Sequence, residues 1–149
     1  MKIGIGSDHA GYAMKQEIME YLRELGHEVT DYGTYSEERC DYPVYGERVA
    51  LAVKEGKEER GVLICGTGIG ISLAANKVKG IRAAACSEPY SAQMAVRHND
   101  AQIIAFGARV VGIDTAKMIV DAFLNAQFEG GRHQQRIDLI TAIEKKQRK

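Results

Sequence analysis

The feature that most constrains the fold is an apolar run leading into a glycine-rich turn, Gly-Val-Leu-Ile-Cys-Gly-Thr-Gly-Ile-Gly-Ile-Ser at residues 61–72. The unbroken apolar residues 62–64 are typical of a short strand buried on both faces of a parallel sheet. Glycines then occupy alternate positions 66, 68 and 70, and the apolar spacing beyond them is helical. The stretch therefore predicts a strand, a tight turn and a helix, in that order.

The same stretch favours an anion site beside the thiol of Cys65. Glycines let the backbone approach a ligand closely, and the unpaired N–H groups at a helix start attract negative charge. A thiol at the end of the strand would lie in a local field that favours the thiolate. The loop is neither a Walker loop, because no Gly-Lys-Ser/Thr follows, nor a dinucleotide fingerprint, because the glycine spacing differs. Simple packing of a buried cysteine is the alternative interpretation.

Strand and helix patterns alternate along the rest of the chain. Strands are predicted at residues 2–7, 27–32, 62–64, 81–86 and 102–106, and the helices between and after them begin near residues 12, 44, 69, 89 and 114. About five such units predict an α/β fold, a three-layer Rossmann-like sandwich around a parallel sheet of about five strands. Asp8, Ser87 and Asp114 are the predicted helix caps, and Glu88 suits the dipole at its helix start.

A C-terminal helix is predicted over residues 132–149, beyond the last sheet unit. Ile137, Ile140 and Ile143 lie on one face of this helix, and charged residues cover the others. An exposed apolar stripe needs a partner, so dimerisation is the leading interpretation. Packing of the helix back onto its own domain is the alternative.

Composition narrows the class of protein. A chain of 149 residues, of which 45% are hydrophobic, is expected to form one domain over residues 1–149. The charges of twenty basic and twenty acidic residues cancel, so the chain has no net positive charge that would attract nucleic acid. The sequence has neither an apolar run of membrane-spanning length nor a signal-peptide pattern. Three cysteines without zinc-type spacing argue against a disulfide framework and for a reducing cytoplasm.

The candidate polar residues fall into two groups by their position relative to the strands. Asp8, His9 and Cys65 follow predicted strands, and a doubly wound sheet brings such carboxyl ends to one edge. His98 and Asn99 precede a strand, so we expect them nearer the opposite edge, from which they could reach a site on a second subunit. A helix-end cap is the structural alternative for His98.

Two arginines near the start of the C-terminal helix form a further candidate site. Arg132 and Arg136 are four residues apart and so share one helix face. Paired guanidinium groups suit the bidentate binding of a phosphate. Ordinary solvated charge is the alternative.

Six short blocks together resemble the ribose-5-phosphate isomerase B family, which also includes galactose-6-phosphate isomerase subunits. The blocks are residues 4–11, 41–43, 65–72, 86–91, 98–100 and 130–136. Each block is weakly specific, but their order and spacing over nearly the whole chain are specific. The resemblance implies a Rossmann-like aldose-ketose isomerase of the pentose phosphate pathway that interconverts ribose 5-phosphate and ribulose 5-phosphate without metal or cofactor. It also implies a homodimer, or a dimer of dimers, with shared active sites.

The resemblance also implies roles for individual residues. Cys65 matches the base that moves a proton between C1 and C2, since Ile71 stands where other members place a glutamate, and His98 matches the residue that assists ring opening. The positions that match contacts to sugar hydroxyls are Asp8, Tyr42 and Asn99. The positions that match contacts to the phosphate are His9, Arg109, Arg132 and Arg136. The loop that should cradle the enediolate comprises Gly66, Gly68, Ile69 and Gly70, together with the Thr67 hydroxyl.

Other classes of function stay open at this point. A noncatalytic phosphosugar- or nucleotide-binding domain would use the same loop and arginines, but it would need no thiol at the reacting end. A thiol redox protein is disfavoured because the sequence has no Cys-x-x-Cys pair, although Cys40 or Cys86 could lie close to Cys65. Among isomerases, a six-carbon substrate such as allose 6-phosphate is the alternative.

Overall fold

The sheet of the computed structural model, which describes residues 1–147, has five parallel strands. They are β1 (Lys2–Ser7), β2 (Glu28–Asp31), β3 (Arg60–Cys65), β4 (Ala83–Ala85) and β5 (Ile103–Gly107). Their order across the sheet is β2-β1-β3-β5-β4, and each neighbouring pair is parallel. The central strand β3 has an unbroken apolar run, and its residues 62–64 are fully buried. A central strand is covered on both faces, which explains its composition.

Residues 1–147 form six helices, of which the first five cover the two faces of this sheet and the sixth packs against the fourth. They are α1 (Tyr12–Glu24), α2 (Tyr42–Lys54), α3 (Ile69–Asn76), α4 (Pro89–Asn99), α5 (Ile113–Asn125) and α6 (Arg132–Gln147). Helices α1, α4 and α5 build one core with Ile5 and Phe106, whereas α2 and α3 build the other with Leu63 and Cys65. The Rossmann-like three-layer prediction is confirmed. Within residues 1–147, no helix has the length and apolarity needed to cross a membrane.

All three predicted helix caps are wrong, and at α1 the N-cap residue is Gly11 and not Asp8. At α4 the cap is Glu88, whose carboxylate accepts a hydrogen bond of 2.9 Å from the backbone N–H three residues later, and not Ser87. The reason is Pro89, which favours the first helical position and so places the cap immediately before itself. Helix α5 is capped by Gly112, so Asp114 lies within its first turn, where its charge suits the helix dipole.

Helix α6 contacts its own domain at both ends, because the carboxylate of Glu144 near its end accepts hydrogen bonds of 3.1 and 3.2 Å from the backbone N–H of Gly80. Ile137 is buried, whereas the side chains of Ile140 and Ile143 are 49% and 59% exposed. The two exposed isoleucines border a groove of about 600 Å³ between α6 and the β4 edge of the sheet. Packing of the helix back onto its own domain is therefore confirmed in part, and dimerisation through the exposed isoleucines stays a prediction. The predicted helix also includes residues 148 and 149, which lie outside the described residues.

Candidate active site

The site begins at the carboxyl end of β3, where the chain turns sharply after Cys65. The thiol is buried, and its Sγ accepts a hydrogen bond of 3.1 Å from the backbone N–H of Gly68. Gly68 has a φ of 81°, and a Cβ there would lie 2.7 Å from the backbone of Phe106. Only glycine fits both conditions. The loop therefore directs a backbone donor at the sulfur, and such a donor stabilises negative charge there.

The rest of the glycine loop is held against the end of β5. A Cβ on Gly107 would lie 2.6 Å from the carbonyl oxygen of Gly66 and from Cα of Thr67. The backbone N–H of Arg109 donates to that same Gly66 oxygen at 3.1 Å, and its guanidinium lies over Gly66. The Thr67 hydroxyl accepts a hydrogen bond of 3.2 Å from the N–H of Ile69. The structure therefore brings Cys65, the loop and Arg109 together.

Asp8 lies beside this loop, at the end of β1. Its N–H donates to the carbonyl of Ile64 at 3.3 Å, and its carboxylate accepts a hydrogen bond of 3.1 Å from the N–H of Gly11. Gly11, and not Asp8, is the N-cap residue of α1, so Asp8 closes the turn before the helix. Strands β1 and β3 are also where the order of connections reverses, which is the usual ligand site of such sheets.

The segment before α2 forms the side of the site. His9 Nδ1 accepts a hydrogen bond of 3.2 Å from the backbone N–H of Cys40. The ring of Tyr42 lies against Gly70, where a Cβ would approach it to 2.6 Å. Of the predicted sugar and phosphate residues, Asp8 and Tyr42 thus lie beside the glycine loop and the end of β3, and His9, next to Asp8, is held by the segment before α2.

Lys15 supports this segment, and the prediction from sequence missed it. Its side chain has 0% exposure, and Nζ donates to the Asp31 carboxylate at 2.5 Å and to the Thr34 carbonyl at 2.7 Å. A fully buried ammonium group is tolerated only with such partners. The signal was present in the sequence, because Lys15 occupies the apolar stripe of α1 together with Ile18 and Leu22.

The second group of predicted residues, His98 and Asn99, lies at the amino ends of the strands, opposite the carboxyl ends where Cys65 is found. Helix α4 runs against the strand direction, and the carbonyl of its last residue, Asn99, accepts a hydrogen bond of 2.8 Å from Arg82, just before β4. Strand β5, from Ile103 to Gly107, then separates Asn99 from the Cys65 edge by about 13 Å at the usual rise per residue. The expectation that His98 and Asn99 lie away from the thiol on one subunit is confirmed.

His98 contacts a residue that the prediction from sequence did not select. The rings of His98 and His133 stack with centroids 4.3 Å apart and planes 8° from parallel. His133 is buried, and its Nε2 lies 3.5 Å from Oε1 of Glu129. Burial lowers the pKa of His133, and the nearby His98 and Arg132 lower it further. Although His133 belongs to the block at residues 130–136, no local pattern pairs it with a residue 35 positions earlier.

The three cysteines are free thiols in different surroundings. Cys86 packs in the core under α1, α4 and α5, on the opposite face of the sheet from Cys65. Burial raises the pKa of Cys86 to about 11, with a smaller contribution from Glu88. Cys40 lies beside His9, with Sγ 3.9 Å from its Nδ1. This arrangement offers Cys86 no role as a resolving thiol for Cys65.

Fold and site together define a class of protein. It is a doubly wound α/β protein with a glycine loop, a buried thiol and an arginine at its topological switch point, an arrangement that suits a small anionic ligand.

Comparison with known proteins identifies the family. A model of the Ribose/Galactose Isomerase family matches residues 3–140, and the chain belongs to this family. The chain is 61% identical to ribose-5-phosphate isomerase B of Escherichia coli (strain K12), over 97% of each chain. It superimposes on the ribose-5-phosphate isomerase B structure of Clostridium thermocellum with a TM-score of 0.97 and 58% identity, covering 98% and 99% of the two chains. The Mycoplasma genitalium enzyme, solved with bound ribulose 5-phosphate, gives a TM-score of 0.92 and 43% identity, covering 96% and 95%.

Proposed function

We propose that this protein is an aldose-ketose isomerase that interconverts ribose 5-phosphate and ribulose 5-phosphate. The observation that carries the proposal is the Cys65 thiol, which lies at the topological switch point with the Gly68 N–H directed at its sulfur at 3.1 Å. A noncatalytic sugar-phosphate binder has no need of a thiol in that position. The family and the names of the close relatives support the same reaction.

In the proposed reaction, Cys65 is the base that moves a proton between C1 and C2 of the open sugar. Removal of the proton from C2 leaves a cis-enediolate, a hydroxyl proton moves from O2 to O1, and return of the first proton to C1 gives the ketose and the base in its starting form. Negative charge develops on oxygen during this step, so N–H donors must already point at it. We assign that task to the N–H groups of the loop 66–70, with the Thr67 hydroxyl. The route moves only protons and needs neither metal nor cofactor.

The phosphate end of the sugar is assigned to one histidine and three arginines. Arg109 lies against the glycine loop and His9 against the segment before α2, whereas Arg132 and Arg136 lie one turn apart at the start of α6. Guanidinium groups bind phosphate through paired charge-assisted hydrogen bonds. On one chain these two pairs are at different edges of the sheet, so a complete phosphate site requires a second copy.

We further propose that the active unit is a homodimer in which each site combines the loop of one subunit with His98, Asn99, Arg132 and Arg136 of the other. Exposed apolar side chains lie beside the loop, namely those of Ile69 and Leu73 on α3 and Val44 on α2. Such a surface is expected where two subunits meet. Each subunit would be a single isomerase domain, and its three free thiols suit a reducing cytoplasm.

The reaction is tested by adding ribose 5-phosphate and following ketose formation in the presence of EDTA. We expect full activity with EDTA and some deuterium on the product carbon when the solvent is deuterium oxide. Parallel assays with allose 6-phosphate measure the preference for a five-carbon sugar. Binding of ribose 5-phosphate without any isomerisation would overturn the proposal in favour of a noncatalytic domain.

Shared sites are tested by mixing two inactive variants. Cys65→Ala damages one half of each site and His98→Asn damages the other, so a mixed dimer retains one intact site of two. Random reassortment of the two variants should therefore restore about a quarter of wild-type ring-opening activity. Activity that stays at the level of the separate variants would contradict sites shared between subunits.

A further inference from the structure

The ring of His98 is held by an assembly of side chains to which the proposed reaction assigns no part. His133 covers one face of the His98 ring, and Glu129 Oε1 lies 3.5 Å from His133 Nε2. The other oxygen of Glu129 accepts a hydrogen bond of 2.6 Å from Arg97 Nε, one residue before His98. These contacts therefore join α4 to the loop before α6 through Arg97 and Glu129, and join α6 back to α4 through His133 and His98.

Backbone hydrogen bonds hold the same segments together. The N–H of Glu129 donates to the carbonyl of Arg97 at 3.0 Å, and the N–H of His133 donates to the carbonyl of Gly130 at 3.1 Å. Gly130 and Gly131 have φ values of 70° and 56°, a conformation that glycine adopts readily. The turn thus delivers His133 to α4 with little freedom, and the side chain is only 6% exposed.

The same three side chains, His98, Glu129 and His133, have the ligand types of a transition-metal site, and their donor atoms lie within 4.8 Å of one another. The ring geometry argues against this use. A metal bound to imidazole lies close to the ring plane, and two stacked planes only 8° from parallel do not share such a position. The arrangement is that of a support for one ring by the other.

We propose that His133 is a positioning residue for His98, whose ring it fixes in the orientation needed to open the furanose. This inference rests on the proposed function, because it takes His98 as the group that transfers a proton to the ring oxygen. His133 is not assigned a contact with substrate. Its effect on the reaction passes through the neighbouring ring.

The charges around His133 are consistent with a neutral support. His98 and Arg97 of α4 and Glu129 of the loop before α6 lie around it, and Arg132 and Arg136 share its helix. Burial and the neighbouring cations lower the pKa of His133, and only Glu129 opposes them. At neutral pH the supporting ring therefore places no positive charge against His98.

The test compares His133→Ala, which removes the stacked ring, with His133→Phe, which keeps an aromatic plane. Ribose 5-phosphate consumption should fall by about tenfold to a hundredfold in His133→Ala, the scale for a misplaced catalytic group. Deuterium exchange into ribulose 5-phosphate, which starts from the open chain, should stay near wild type. His133→Phe should recover most of the lost rate, and thermal melts confirm that both variants are folded.

Three outcomes would overturn the inference. A parallel loss of both activities, in proportion to the unfolded fraction, would mean that His133 serves stability alone. A rise in KM for both sugars at unchanged kcat would mean that it contacts the substrate. Failure of His133→Phe to recover any activity, with the protein folded, would mean that the aromatic plane is not what positions His98.

A readout independent of activity separates this inference from the proposed function. The chain has four histidines, so the His133 ring protons can be assigned by NMR and titrated. Since the neighbouring His98 lowers the pKa of His133, His98→Asn should raise it, whichever sugar the enzyme uses. The matched control His27→Asn should leave it unchanged. An unchanged titration in His98→Asn would show that the two rings do not interact in solution.

Discussion

The two halves of the candidate site are built in different ways. The thiol half is made almost entirely of backbone, in which the Gly68 N–H contacts Cys65 and the loop packs against β5 with no room for added side chains. The histidine half is made of side chains, in which one imidazole stacks on another and a carboxylate joins the loop to α4. Backbone contacts hold the glycine loop rigidly at the ends of the strands. In the histidine half, the orientation of the His98 ring depends on each of the side chains that contact one another there.

This difference suits the two chemical tasks. Stabilisation of an enediolate requires donors that do not move while charge develops, and a loop held by the sheet provides them. Ring opening requires a group that gains and loses a proton, so it requires a side chain. If the two halves are separable in this sense, variants of the thiol half should affect every step, and variants of the histidine half should affect ring opening alone.

Replacement of Cys65 by Ala should affect the reaction most. Isomerisation should fall by about two or more orders of magnitude in both directions, the usual scale for a lost general base. Folding and sugar-phosphate binding should persist, because the loop is held by contacts of Gly68 and Gly107 that do not involve the sulfur. The measurement is kcat in both directions, together with a thermal melt and a binding titration.

Alkylation provides the control for this variant. Iodoacetamide should inactivate the wild type, and substrate should protect it. Cys86, whose pKa is about 11, should stay largely unmodified at neutral pH. Because Cys40 lies beside His9, Cys40→Ala is the matched variant, and it should retain both activity and sensitivity to the reagent. Full activity in Cys65→Ala would sink the assignment of the base.

Replacement of His98 by Asn should slow the consumption of the closed aldose and spare the enediolate step. Ribose 5-phosphate is mostly a closed furanose, so its consumption should slow by about a hundredfold, the range for a lost general acid. Deuterium exchange into ribulose 5-phosphate should be spared, since that sugar enters as an open chain. A folded variant with both activities at wild-type level would show that the ring-opening assignment is wrong.

Replacement of Gly68 by Ala tests the rigidity of the backbone half. The φ of 81° and the approach of 2.7 Å to Phe106 both oppose a Cβ there. We expect a loss of about 1–3 kcal/mol in the free energy of unfolding, together with about tenfold lower kcat in both directions. Gly26, which also has positive φ but open space around it, is the control, and Gly26→Ala should lower stability alone. An active, stable Gly68→Ala variant would contradict a preformed loop.

The smallest expected effect is a pH dependence of stability. The pKa of His133 is lower in the folded protein than its ordinary value of 6.5, so the unfolded chain binds the proton more readily. The contribution of His133 to the free energy of unfolding is therefore fully present above about pH 6.5 and decreases as the pH falls below that value. Melting temperatures between about pH 7.5 and 5.5 should fall less in His133→Phe than in the wild type. The part of the decrease in melting temperature that is due to His27, whose pKa is also lowered by burial, should remain in that variant. Identical slopes would mean that the native protein protonates His133 freely.

Much of the fold and the thiol half could be predicted because their signals are local. The unbroken apolar run marks β3 as a central strand, and the glycines at 66, 68 and 70 indicate the tight loop that the structure contains. The caps at Ser87 and Asp114 were wrong because neighbouring residues competed for the same position, Pro89 in the first case. The local backbone geometry determines which of several neighbouring residues becomes the N-cap, and residue propensity alone does not predict the choice.

By itself, the sequence determined the order of strands and helices, the glycine loop and the position of Cys65, because neighbours along the chain impose them through sterics and apolar periodicity. Only the tertiary structure decided that the buried Lys15 pairs with Asp31 and Thr34 and that His133 stacks on His98. These features join residues far apart in the chain. Their energies come from burial and packing, which exist only once the sheet and its helices have assembled.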